Sequence, residues 1–181
     1  SVSVAAAHGT ATVDPDGTGR VDVHLDVERA ADRYYTAVVT VDGREERTAV
    51  SGNAAHVTVL VPDARLWWPV GYGEQPLYEL TVTLLADAEP VDTDRRRIGF
   101  RTVELDPDAF RLIINGRPVF VKGFNWIPDD CFPHRVTPER LAHRFGQAAD
   151  AGANLLRVWG GGLYESDDFY AQAGGLYFSI Y

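Results

Sequence analysis

The hydrophobic period of the chain changes once, near residue 105, and that change constrains the fold more than any single motif. Before it, apolar residues recur at every second position: Val21, Val23, Leu25 and Val27 alternate with Asp22, His24 and Asp26. Successive side chains leave a pleated backbone on opposite faces, so a period of two is that of a half-buried strand. Ala11 and Val13 precede a DPDGTG turn, YYTAVVTVDGREERTAV adds a pair of strands around Asp42-Gly43, and HVTVLVP and LYELTVTLLAD are further alternating runs. RRRIGFRTVEL closes the set. About seven strands at this spacing predict an immunoglobulin-like β-sandwich over residues 1–104.

After residue 105 the pattern becomes mixed. FRLIINGRPVFVKGF is two apolar runs around Asn115-Gly116, a hairpin signal, with the second run continuing to Lys122 and Phe124. Thr137-Pro138-Glu139 reads as an N-cap followed by proline at the first helical position. Leu141, Phe145, Ala148 and Ala149 then form a helical stripe ended by Gly152. Ala153 to Val158 is a short apolar run, Ser166 caps a second helix through Phe169 and Ala173, and LYFSIY is a third apolar run. Strand, helix, strand, helix, strand is the order a parallel sheet requires, because parallel neighbours need long crossovers. The predicted fold class is therefore multidomain β plus α/β, with residues 105–181 as the first strands and helices of a (β/α)8 TIM barrel, incomplete here. Three strands cannot close an eight-stranded barrel, so the expectation is a piece of a longer chain.

Charge and cysteine content narrow the function. The formal charge is -9, with no basic run longer than Arg95 to Arg97, which disfavours nucleic acid and anionic membrane as partners. No apolar stretch approaches the roughly 18 residues that span a bilayer. Cys131 is the only cysteine, so neither a disulfide framework nor a thiolate cluster is available, and a cytoplasmic and a secreted location are both open for a soluble chain. The first residues, SVSVAAAHGTATV, lack the layout of a signal peptide. His8, His24, His56, His134 and His143 show no metal-ligand spacing, no serine sits in a nucleophile elbow, and no cofactor is predicted.

Two clusters fall just past predicted parallel strands, where such sheets bind ligands. In RVWGGG, Arg157 offers several donors and Trp159 a flat apolar face for a pyranose ring, while Gly160 to Gly162 allow close backbone approach. The alternative is a tight turn with a packed tryptophan. In GFNWIPDD, Asn125 and Trp126 form the second cluster, Trp126 being either a site residue or a core aromatic and Asp129 and Asp130 either functional or solvated. Glycoside hydrolysis needs two carboxyls about 5–9.5 Å apart, and no such pair is fixed by the pattern. Glu165 and Asp167 fit a helix start, where they favour the dipole. In LWWPVGYGEQPLY, Trp67, Trp68, Tyr72 and Tyr78 would bind carbohydrate if exposed, or hold the domain boundary if packed.

LWWPVGYGEQPLYELTV, RRRIGFRTVEL, INGRPVFVKGFNWIPDD and LLRVWGGGLYESDDFY, in this order, resemble the beta-mannosidase branch of the family 2 glycoside hydrolases. The resemblance covers nearly all the chain from Trp67 onward. It implies a sugar-binding sandwich, an immunoglobulin-like sandwich and a (β/α)8 catalytic barrel in the whole protein, and retaining exo-hydrolysis of terminal non-reducing beta-D-mannose. Mannose-terminated oligosaccharides and the remainder of the parent glycosidase are the implied partners. Arg157 and Trp159 would line the terminal mannose subsite, with Asn125 and Trp126 as the neighbouring wall. The family's acid/base glutamate, in an Asn-Glu pair, and its nucleophile glutamate have no counterpart here, so no catalytic residue is assigned and the 181 residues alone are expected to be inactive. The chain departs from the family at AGGLYFSIY, where a pattern like DELGLLVWQD is usual. A sibling family 2 activity such as exo-glucosaminidase, and a non-catalytic carbohydrate-binding or structural module, are the alternatives.

Overall fold

The computed structural model describes residues 3–28, 33–174 and 178–180. The chain divides into two compact units, one of Ser1–Arg65 with Leu77–Phe100, the other of Leu66–Pro76 with Arg101–Tyr181. The architecture is a multidomain combination of small antiparallel sheets and an α/β segment.

The first unit holds seven strands: β1 (Ser3–Val13), β2 (Gly19–Glu28), β3 (Tyr35–Val41), β4 (Arg44–Ala49), β5 (Ala54–Val61), β6 (Tyr78–Ala86) and β7 (Glu89–Ile98). They form two antiparallel sheets, ordered β1-β2-β5 and β4-β3-β6-β7. The alternation predicted from sequence sets which face is buried: Val21, Val23, Leu25 and Val27 of β2 share one apolar cluster with Val57 and Val59 of β5, Val39 and Val41 of β3, and Val82 and Leu84 of β6. Both sheets thus turn an apolar face to one core.

Hairpin chemistry pins the register. Asp42 and Gly43 both have positive φ, 51° and 73°, between strands that pair Val41 with Arg44. Two residues at positive φ make the primed turn whose twist suits a hairpin. Asp87 and Ala88 do the same between β6 and β7, with φ of 49° and 74°, and there an alanine occupies a conformation that favours glycine.

In the second unit β8 (Val103–Asp106), β9 (Arg111–Ile114) and β10 (Arg117–Val119) form an antiparallel sheet ordered β10-β9-β8. Asn115 and Gly116, at φ 51° and 72°, close the expected hairpin. The second apolar run does not continue as one strand to Phe124. Asn154, buried, accepts from the Lys122 N–H through its side-chain oxygen and donates to the Phe120 carbonyl, so these backbone groups are satisfied outside a ladder. A new strand, β11 (Gly123–Trp126), begins beyond them.

From there β11, α1 (Pro138–Asp150), β12 (Leu155–Val158), α2 (Asp167–Ala173) and β13 (Phe178–Ile180) follow the predicted order. The strands are parallel, in the order β11-β12-β13. Thr137 caps α1 through its hydroxyl to the Arg140 N–H, and Ser166 caps α2 through the Phe169 N–H. Leu141 and Phe145 of α1 and Phe169 and Ala173 of α2 pack with Leu156 and Val158 of β12. Within the unusual terminal segment, Gly175 to Tyr177 and Tyr181 lie outside the described residues. No helix among the described residues is long and apolar enough to cross a membrane.

The aromatic loop 66–76 packs into this second unit. Trp67 is buried, its indole N–H donates to the Gly174 carbonyl at 2.9 Å, its carbonyl accepts from Asn115 Nδ2 at 3.0 Å, and the Arg101 guanidinium lies 4.8 Å over its ring. The Tyr72 hydroxyl accepts from the Phe120 N–H at 2.7 Å. Of the two readings offered by the sequence, packing is the one the geometry favours, because an open platform needs the ring faces that these contacts cover.

Candidate functional site

The carboxyl ends of β11 and β12 lie side by side, since Asn125 is in register with Arg157 and Trp126 with Val158. Alternation then sorts their side chains. Trp126, Leu156 and Val158 point to the helix layer, and Asn125 and Arg157, one position out of phase, point to the opposite face. There Arg157 Nη1 donates to Asn125 Oδ1 at 3.3 Å, and both residues are exposed. The remaining guanidinium donors are therefore available to an oxygen-rich ligand.

Trp159 follows directly. Its N–H donates to the Trp126 carbonyl at 2.9 Å, which ties the start of the glycine loop to the end of β11. The indole is 44% exposed and folds back over its own loop. A Cβ built on Gly161 would lie 2.2 Å from Trp159 Cη2, and one on Gly162 would lie 2.8 Å from Pro128 Cγ. Two of the three glycines thus have distinct steric tasks: Gly161 admits the indole and Gly162 lets the loops after β11 and β12 touch. A cleft of about 280 Å³ is bordered by Arg157, Trp159, Leu163 and Tyr164.

Trp126 takes the core position of its two sequence readings. It is 9% exposed and packs at 5.6 Å from Phe145 and 5.1 Å from Phe169, ring centre to ring centre. Only its edge reaches the loops, where the indole N–H donates to Glu165 Oε1 at 2.8 Å. Of the four predicted site residues, the structure brings Asn125, Arg157 and Trp159 to the exposed strand ends and sets the Trp126 ring behind them.

The loop carboxylates are engaged rather than solvated. Arg140 Nε pairs with Asp129, Arg140 Nη1 reaches Asp130 at 3.2 Å, and Arg144 Nε reaches Asp129 at 3.0 Å. The Phe132 N–H, with Arg135 and Arg140 in support, holds the Asp130 carboxyl below its ordinary range. This clamp anchors the loop after β11 to helix α1. Sequence inspection missed it, although Arg140 and Arg144, four apart on one helix face, were a readable signal of a basic stripe. The partnership of Glu165 with Trp126 had no such signal, because it joins residues far apart in sequence. The cavity of about 460 Å³ beside Pro128, Asp129 and Glu165 is larger than the Trp159 cleft, but the carboxylates around it are already bound to these partners.

The model of the family described as glycosyl hydrolases family 2 matches residues 2–101. Beta-mannosidase of Mus musculus is 43% identical over 113 residues, which cover 58% of this chain and 13% of that protein. Beta-mannosidase B of Thermothelomyces thermophilus is 37% identical over 164 residues, 83% of this chain and 19% of that one. Among solved structures, the beta-D-mannosidase from Dictyoglomus thermophilum superposes with a TM-score of 0.81 at 30% identity, covering 96% of this chain and 23% of that one. The chain therefore spans less than a quarter of the length of each of these proteins.

Proposed function

This chain belongs to the glycosyl hydrolases of family 2, and on that footing we propose that it is part of a retaining, exo-acting hydrolase that removes terminal non-reducing beta-D-mannose from oligosaccharides. Residues 1–104 are assigned as its immunoglobulin-like domain and 105–181 as the opening of its (β/α)8 barrel. In this reading Arg157 and Asn125 hold hydroxyls of the terminal sugar, Trp159 offers its face to the C–H side of the ring, and Trp126 supports the site from behind through Glu165. The catalytic carboxyl pair comes from other parts of the whole protein. The loop carboxylates here are tied to arginines and to an indole, which suits anchoring better than proton transfer.

One observation carries the proposal: Asn125 and Arg157 stand hydrogen-bonded on adjacent parallel strand ends with a half-open tryptophan next in the chain. Likeness to the mannosidases supplies the sugar. The whole protein is assayed against nitrophenyl beta-mannoside, beta-glucosaminide, beta-glucuronide and beta-galactoside. Turnover of the mannoside with a beta-configured first product is expected. Cleavage of another glycoside with the mannoside untouched refutes the specificity, and an alpha-configured first product refutes the mechanism.

A further inference from the structure

Three of the five histidines, far apart in sequence, fall into one row on the first unit. His8 is the cross-strand partner of His24 on β1 and β2, and His24 is that of His56 on β2 and β5. All three are exposed, and His24 and His56 lie on the face opposite the buried Val23, Leu25, Ala55 and Val57. Directly opposed strand residues hold their Cβ atoms about 4.5–5.5 Å apart. The His24 and His56 rings accordingly stack, with centroids 4.3 Å apart and planes 12° from parallel. Stacked imidazoles carry their ring nitrogens side by side, and rotation about the broad χ2 torsion converges them on one point.

The surroundings favour a cation. His56 Nε2 lies 3.3 Å from Asp22 Oδ1, and Thr58 Oγ1 donates to the same carboxylate. A carboxylate that accepts from one ring N–H fixes the tautomer and leaves a lone pair on the other nitrogen, the arrangement seen behind metal-bound histidines. Asp22 and Asp26 also flank His24 on the same strand face, in a chain of net charge -9.

We propose that His24 and His56, with Asp22 bracing His56, chelate one borderline divalent cation of the zinc, nickel or copper type. Imidazole donors suit these ions better than magnesium or calcium, which take oxygen ligands. Among the described residues no three donor side chains surround one point, so the site is a two-imidazole chelate that leaves its other positions to water. It is independent of the glycosidase reading.

Titration calorimetry of the whole protein with Ni²⁺ alone, then with Zn²⁺ alone, tests the site. The wild type is expected to bind one more equivalent than either His24→Ala or His56→Ala, while His134→Ala matches the wild type. Asp22→Asn is expected to weaken that equivalent by about tenfold. The three site residues are exposed or half-buried, and circular dichroism checks that each variant is folded. Equal stoichiometry and affinity in the wild type and both histidine variants overturns the proposal, as does a loss confined to one of them; unchanged affinity in Asp22→Asn overturns the bracing role.

Discussion

Gly161→Ala is the sharpest test of how the glycine loop serves Trp159. The added methyl would sit 2.2 Å from Cη2, 2.3 Å from Cζ2 and 2.7 Å from Cζ3 of the indole. Carbon atoms rest near 3.5–4.0 Å, so the ring has to move by at least ~1.3 Å. Gly161 is not among the glycines with positive φ, so alanine meets no backbone strain there and the clash is the whole perturbation. The ring is half open to solvent and can swing outward, which keeps the cost in stability within about 0.5 kcal/mol, as for ordinary surface changes. The cost to function is larger, because a displacement of about 1 Å in a positioning group lowers rates by up to roughly 10²-fold. Steady-state assay of the whole protein on nitrophenyl beta-mannoside is therefore expected to show kcat/KM reduced about 10- to 100-fold with an unchanged melting temperature. Gly160→Ala is the control, since nothing lies within 4 Å of its added methyl. Wild-type kcat/KM in Gly161→Ala, or an equal loss in Gly160→Ala, refutes the reasoning.

Two further outcomes concern stability. Ala88 sits at φ 74° in the β6–β7 turn, so Ala88→Gly is expected to raise stability by about 1 kcal/mol, seen as a higher urea midpoint at constant slope; a lower midpoint contradicts the strain. Phe145→Ala empties a fully buried position between Trp126 and Phe169 and is expected to cost about 3–5 kcal/mol by denaturant unfolding, a loss under ~1 kcal/mol being incompatible with that packing.

Much of the architecture was legible because its causes are local. The two-residue period of β2 already named Val21, Val23, Leu25 and Val27 as core, and Asp42-Gly43 and Asn115-Gly116 carried their turns in their own chemistry. Thr137 and Ser166 announced both helices as caps. Ala88 escaped notice for the converse reason: no residue type there advertises a positive φ, and only the pairing of β6 with β7 imposes it. The site was legible as a place rather than as an arrangement. Residues past parallel strands pointed to Asn125, Trp126, Arg157 and Trp159 together, yet one-residue phase along β11 sends Asn125 to one face and Trp126 to the other.

Sequence by itself determined which segments become strands and helices, where they turn, and which family the ordered motifs resemble. Tertiary structure alone decided that Asp129 and Asp130 are clamped by arginines of α1, that Gly161 makes room for an indole, that Trp67 is buried by Arg101 and Gly174, and that His8, His24 and His56 share a row. Periodicity and capping act over a few neighbouring residues and can be read in order along the chain. Register and close approach join residues that are remote in sequence, and only the folded backbone sets those distances.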